Sequence, residues 1–183
     1  MDFEAYLNAI LKNMCSSHDV ERDFAADGRI WPAYARYESF SEKYVLSRKA
    51  SLWSVREYEH VLFARAADST EKQVRALEAV AAEYMEPVLV RGGKSVPEKD
   101  HMRSFLTLVL ICEGVISEDA VRRVRKYHFD RGYRFSLRGF VQGRIVLIDL
   151  PGRRVVASPG AKDIRKFYQR VFDEADSAFS TRK

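Results

Sequence analysis

An α+β fold, with a mixed, largely antiparallel sheet and about four helices packed on it, is predicted by three features of this chain. Apolar residues recur at helical spacing near the start and the end of its 183 residues. Between them lie runs rich in aromatic and β-branched residues, several joined by segments too short to hold crossover helices. One run, Met102 to Cys112, is apolar enough for a central strand covered on both faces.

Taken in order, Phe3, Tyr6, Leu7, Ile10, Leu11 and Met14 form one stripe, which predicts a helix over 1–15. A polar stretch then leads to an Asp27-Gly28 turn. Strands are expected at 34–46, 50–56 and 59–66, linked by Ser47-Arg48-Lys49 and by a tight connection at Glu57-Tyr58-Glu59. Thr70 and Gln73 fit a capping box, and Val74, Leu77, Ala81, Tyr84 and Met85 give the buried stripe of a helix that Pro87 should stop. Gly92, Gly93 and Pro97 mark a mobile loop at 91–100.

After the apolar strand, Ser117 caps a short helix with Glu118 and Asp119 in its first turn, where the dipole favours acids. Strands at 132–141 and 144–150 follow, and Pro151-Gly152 turns the chain into a short strand at 155–157. A final helix is set by Ile164, Phe167, Tyr168, Val171, Phe172, Ala175 and Phe179.

Composition narrows the class. A single domain, 1–183, is expected, and a chain of this length buries about 70% of its unfolded surface, so neither metal nor disulfide is needed for stability. Cys15 and Cys112 sit in apolar contexts without a C-x-x-C pair, and both are read as buried, reduced thiols. The acidic start and the lack of an apolar run near the ~20 residues of a membrane span point to a cytoplasmic protein with no membrane partner.

Net charge is +5, unevenly placed. Residues 1–91 carry 12 basic and 15 acidic side chains, residues 92–183 carry 19 and 11, and 120–170 alone hold 14 against 3. Arginine dominates, and its forked donors suit phosphate and carboxylate. Arg122, Arg123 and Lys126 on one helix, with Arg134 and Arg138 alternating along the next strand, are the candidate surface for nucleic acid or another polyanion. A solvated surface paired with acids of the first half is the competing structural reading.

Enzymatic signatures are weak. Gly92-Gly93-Lys94-Ser95 has Val88 where a phosphate-binding loop needs glycine, and Val96-Pro97 where it needs a helix. His18, His60, His101 and His128 show no metal-ligand spacing, and His101 and Cys112 would lie at opposite ends of one strand, on the order of 35 Å apart. A metal-dependent hydrolase or nuclease, with Glu42 or Asp149 as ligand, is the alternative enzyme reading. No cofactor is implied. The charge split and free strand edges favour, as a third reading, a homo-oligomer, most simply a homodimer, that needs no ligand.

Ser41-Glu42-Lys43-Tyr44-Val45-Leu46-Ser47-Arg48-Lys49-Ala50, His101-Met102-Arg103-Ser104-Phe105-Leu106-Thr107-Leu108-Val109 and Arg144-Ile145-Val146-Leu147-Ile148-Asp149-Leu150 resemble a family of uncharacterised bacterial proteins. The resemblance takes in Gly160 to Ile164 and Phe167-Tyr168, and so spans Tyr34 to Tyr168. It implies a bacterial, one-domain, full-length unit and transfers no activity, ligand or catalytic residue. The expected protein is thus a bacterial binding or accessory domain with a basic surface.

Overall fold

The structure, a computed structural model, describes residues 1–43, 53–134 and 139–180. Helix α1 (Phe3–Met14) buries the predicted stripe, and the Asp2 side chain accepts a hydrogen bond from the Ala5 amide at 2.8 Å. Cys15 follows one residue past that stripe and is exposed, contrary to expectation; Cys112 is buried, and both thiols are free.

The polar stretch before Asp27 is a strand, β1 (Asp19–Ala26), rather than a loop. It is an edge strand whose one neighbour is β2, and only Ala26 is fully buried, so the apolar alternation that announces a strand is absent. Asp27 and Gly28, both at positive φ, make a two-residue turn into β2 (Arg29–Lys43). The two strands expected at 50–56 and 59–66 are one, β3 (Trp53–Ala66). Glu57-Tyr58-Glu59 contains no turn-forming residue and pairs in register with Ser39, Glu38 and Tyr37. The Ser47-Arg48-Lys49 connection lies outside the described residues.

Helix α2 (Glu71–Val80) starts on the capping box, with Gln73 Oε1 accepting from the Thr70 amide at 2.8 Å. It runs directly into a π-helix, Ala81–Val90, and Pro87 does not end it. The wider turn moves the carbonyl four residues back away from the proline ring, which removes the clash that breaks an α-helix. Gly92 and Gly93, at positive φ, terminate the segment instead.

Strand β4 (His101–Cys112) leads to helix α3 (Glu118–Lys126), where Ser117 Oγ accepts from the Ala120 amide at 3.1 Å. The strand expected at 132–141 is not continuous, since Tyr133, Arg134 and Gly139 are not in a strand, and its residues 135–138 lie outside the described residues. Strand β5 (Asp130–Gly132) stops before Arg134, whose φ of 47° turns the chain, and β6 (Phe140–Asp149) begins afterwards. Strand β7 (Arg154–Ala157), a 3₁₀ turn at Pro159–Ala161 and helix α4 (Arg165–Ser180) follow.

The strands pair in the order β1-β2-β3-β4-β6-β5, with β7 also on β6. β3, β4 and β6 are parallel at the centre, and all outer pairs are antiparallel. One face carries α2, the π-helix and α3 over Leu62, Leu106, Leu108, Leu110, Ile145 and Leu147. The other carries α1 and α4 over Val61, Phe63, Val109, Ile111, Val146 and Ile148. β4 is therefore covered on both faces, as its composition predicts.

Candidate anion-binding surface and ligand cleft

Of the five residues expected to form a basic patch, four fall among the described residues. Arg123 makes a two-pronged pair with Glu78 of α2, and Arg122 pairs with Asp119 and Glu118 one turn away. Lys126 and Arg134 are exposed and have no ion pair among the described residues, but Arg134 sits on the turn after β5, not on a strand face. Arg138 lies outside the described residues. Two further arginines of the basic segment are also answered by acids: exposed Arg131 by Glu86, and Arg144, 5% exposed, by Glu59 and Asp163.

A different set of cations converges at the sheet edge. Arg125 from α3, Lys162 after the 3₁₀ turn and Arg165 at the start of α4 line a groove of about 570 Å³, floored by Val155, Val156, Ala157 and Pro159. Arg165 is steadied by a 3.0 Å hydrogen bond from its Nε to the Val155 carbonyl. Among the described residues no carboxylate lines this groove, and neither Arg125 nor Lys162 has an ion pair. Arg125 and Arg165 belong to the basic segment legible in sequence. Their meeting with Lys162 depends on β7 drawing the two helices to one edge.

A second concavity, of about 360 Å³, lies on the face of α2. Its sheet wall is Tyr34, Arg36, Tyr58, His60 and His101, and its rim is Leu89 to Gly92, Lys94 and Glu98. The Tyr34 hydroxyl and His60 Nδ1 share a hydrogen bond of 2.6 Å, and burial pushes that phenol up to about 12. Burial first, and then the charge of Arg36, push the His60 imidazole down from 6.5 to about 4. His60 is thus neutral at physiological pH.

This has a measurable consequence. In the unfolded chain His60 takes a proton below 6.5, whereas the folded protein resists it until about 4. The stability it contributes is complete above pH 6.5 and is lost as the pH falls toward 4, by about 3 kcal/mol. Urea unfolding across that range should show this fall, and His60→Gln should flatten it.

Behind the rim, Glu86 of the π-helix is 0% exposed. It accepts Arg91 Nε at 2.7 Å, Arg91 Nη2 at 3.1 Å, Arg131 Nη1 at 3.0 Å and the Tyr133 hydroxyl. Burial raises this carboxyl, but the hydrogen bonds from Arg91 and Tyr133 and the nearby guanidinium charges outweigh it and hold it below its ordinary value. On the opposite face of the sheet, Arg144 Nη1 lies 3.6 Å from Glu59 and Nη2 3.2 Å from Asp163, with the guanidinium 3.4 Å from the Phe105 ring centre. Thr107 Oγ1 donates to Glu59 at 2.7 Å.

The residues named for metal chemistry are placed otherwise. Asp149 accepts the Gly152 amide at 2.8 Å and Arg154 Nε at 2.6 Å, which fastens the β6–β7 turn. Glu42 is in β2, with its side chain outside what the structure describes. Among the described residues no group of three or more His, Cys, Asp and Glu is close enough to hold a metal ion. Gly92-Gly93-Lys94-Ser95 ends a helix instead of opening one. No helix of the described residues is long and apolar enough to cross a membrane.

A mixed sheet between two helical layers, with a ring-lined cleft on one face and a cationic groove at one edge, defines an α+β domain with two concave surfaces. Residues 2–170 match the family described as a domain of unknown function (DUF8052), and the chain belongs to it. The resemblance drawn from the sequence, to a family of uncharacterised proteins, agrees with this match. No curated protein and no solved structure matches the chain.

Proposed function

We propose that this is a cytoplasmic binding domain for polyanions, nucleic acid foremost, acting through the edge groove of Arg125, Lys162 and Arg165. The observation that supports it is the convergence of three cations without a lining carboxylate, whereas Arg122 and Arg123 are already answered by acids. Exposed Lys126, Lys166 and Arg170 flank the groove in sequence and add to its field. Recognition is of backbone charge, since no base-reading motif is present.

Anisotropy titrations of labelled single- and double-stranded oligonucleotides at several salt concentrations test this. Three neutralised phosphates predict a log–log slope near about −2.7 on duplex. Arg125→Glu with Lys162→Glu should weaken binding at least about tenfold, while Arg122→Glu changes it little. Absence of salt-dependent binding, or binding undiminished in the double variant, overturns the reading.

A further inference from the structure

We infer that the edge groove takes the end of a single nucleic-acid strand, with a terminal phosphate monoester seated among Arg125, Lys162 and Arg165. The inference rests on the polyanion reading of this groove and names which part of the polyanion enters it.

Position comes first. Helix α3 packs in one helical layer, through Ala120 and Val124, and α4 packs in the other, through Tyr168, Val171 and Phe172. Strand β7 pairs only with β6 and touches both helices. Arg125 therefore reaches the groove from one layer, and Lys162 and Arg165 reach it from the other. An anion between them is held from two sides, which a flat basic face cannot do.

The charges there are available. Among the described residues none of the three cations has an ion pair, and no carboxylate lines the groove. Asp163, the acid nearest in sequence to Lys162 and Arg165, is taken by Arg144 Nη2 at 3.2 Å. Arg165 gives only its Nε–H to the Val155 carbonyl, at 3.0 Å, which fixes the guanidinium and leaves the rest of its fork for a ligand.

A phosphate monoester suits this set better than an internal diester. It carries roughly −1.5 to −2 at pH 7 and three acceptor oxygens, so two guanidinium forks and an ammonium can all bond it. A diester brings a single charge and fewer free oxygens to the same three cations. A terminal monoester with the adjoining diester supplies about three charges, matching the cations that meet here.

Size and floor agree. The groove volume, about 570 Å³, is that of a small-molecule site, roughly 300–1,000 Å³. It is too small for a duplex, whose major groove alone is about 12 Å wide. A duplex reaches these cations only with phosphates on its outer surface, whereas the end of a single strand enters. The floor of Val155, Val156, Ala157 and Pro159 is apolar and carries no aromatic ring. It offers the sugar a dry surface and gives a base nothing to stack on, so base identity has little influence.

The probe is a short oligodeoxythymidine, labelled internally, with a 5′-phosphate, a 3′-phosphate or hydroxyls at both ends. Anisotropy titration of the full chain should show at least one phosphorylated form binding about tenfold or more tighter than the dihydroxyl form. Arg125→Gln and Arg165→Gln should each shrink that preference below about threefold. Both side chains are exposed, so the variants keep the fold. Lys126→Gln, outside the groove lining, should weaken all forms alike and keep the preference. Salt-dependent binding that is equal for the three forms overturns this inference and leaves the polyanion reading standing. Absence of binding by every form overturns both. A preference that survives undiminished in Arg125→Gln and Arg165→Gln overturns the placement in the groove.

Discussion

Arg144→Ala is expected to destabilise the protein by about 3–5 kcal/mol, the usual cost of breaking a buried ion pair by removing one partner. The side chain is 5% exposed and rests on Phe105, between Glu59 and Asp163. Its removal strands Glu59, whose carboxyl burial pushes up but which the bonds from His18 and Thr107 and the Arg144 charge hold below its ordinary value. The outcome separates charge from packing. Arg144→Met combined with Glu59→Gln keeps the volume and deletes both charges, and should cost well under the sum of the single variants. Chemical denaturation of the four proteins in this cycle provides the check. Simple additivity would show that the pair is not coupled.

Glu86→Ala should cost a similar amount, about 3–5 kcal/mol, because it leaves Arg91, Arg131 and the Tyr133 hydroxyl facing one another without their shared acceptor. The loss should grow less severe in acid. Glu86 is held below its ordinary 4.5, so its contribution is present above that value and disappears as the pH falls through the folded-state pKa. Denaturation midpoints of the wild type and the variant should therefore converge on acidification. Hydrogen exchange should report the damage at 81–93, where Arg91 loses its anchor and the end of the π-helix its support.

These two clusters mark the limit of what the sequence discloses. Stripes such as Phe3 to Met14 and Ile164 to Phe172 are legible because helical periodicity is local, and the caps at Thr70 and Ser117 for the same reason. β1 was missed because an edge strand with one neighbour needs no alternating pattern, and β3 was divided because Glu57 and Glu59 look like surface residues. In fact Glu57 meets Arg103 and Glu59 meets Thr107 across the parallel pairing with β4. That parallel centre was not expected, since nothing local distinguishes it from an antiparallel one. A lone acid among apolar neighbours, Glu86 in Tyr84-Met85-Glu86-Pro87-Val88, was a signal available and unread.

The site followed the same rule. The basic excess of the second half is real, but which arginines keep their charge unanswered is settled by partners such as Glu78, 45 residues from Arg123. The cleft was still less visible. His60 and Tyr34 are 26 residues apart, and they face one another only once β2 and β3 are in register.

The contact between α1 and α4 imposes an order on biosynthesis. The Tyr6 hydroxyl donates to the Tyr168 carbonyl at 2.8 Å, and the Tyr6 and Phe172 rings lie 4.9 Å apart. Helix α1, made before the sheet, is thus covered by α4, made after it. Until then Phe3, Tyr6, Leu7 and Ile10 have only the sheet residues of their cluster, such as Ala33, Ala35, Val61 and Phe63, as cover. Nascent chains stalled short of α4 would present part of that apolar stripe to chaperones, and emergence of α4 becomes the moment at which this face of the sheet is sealed.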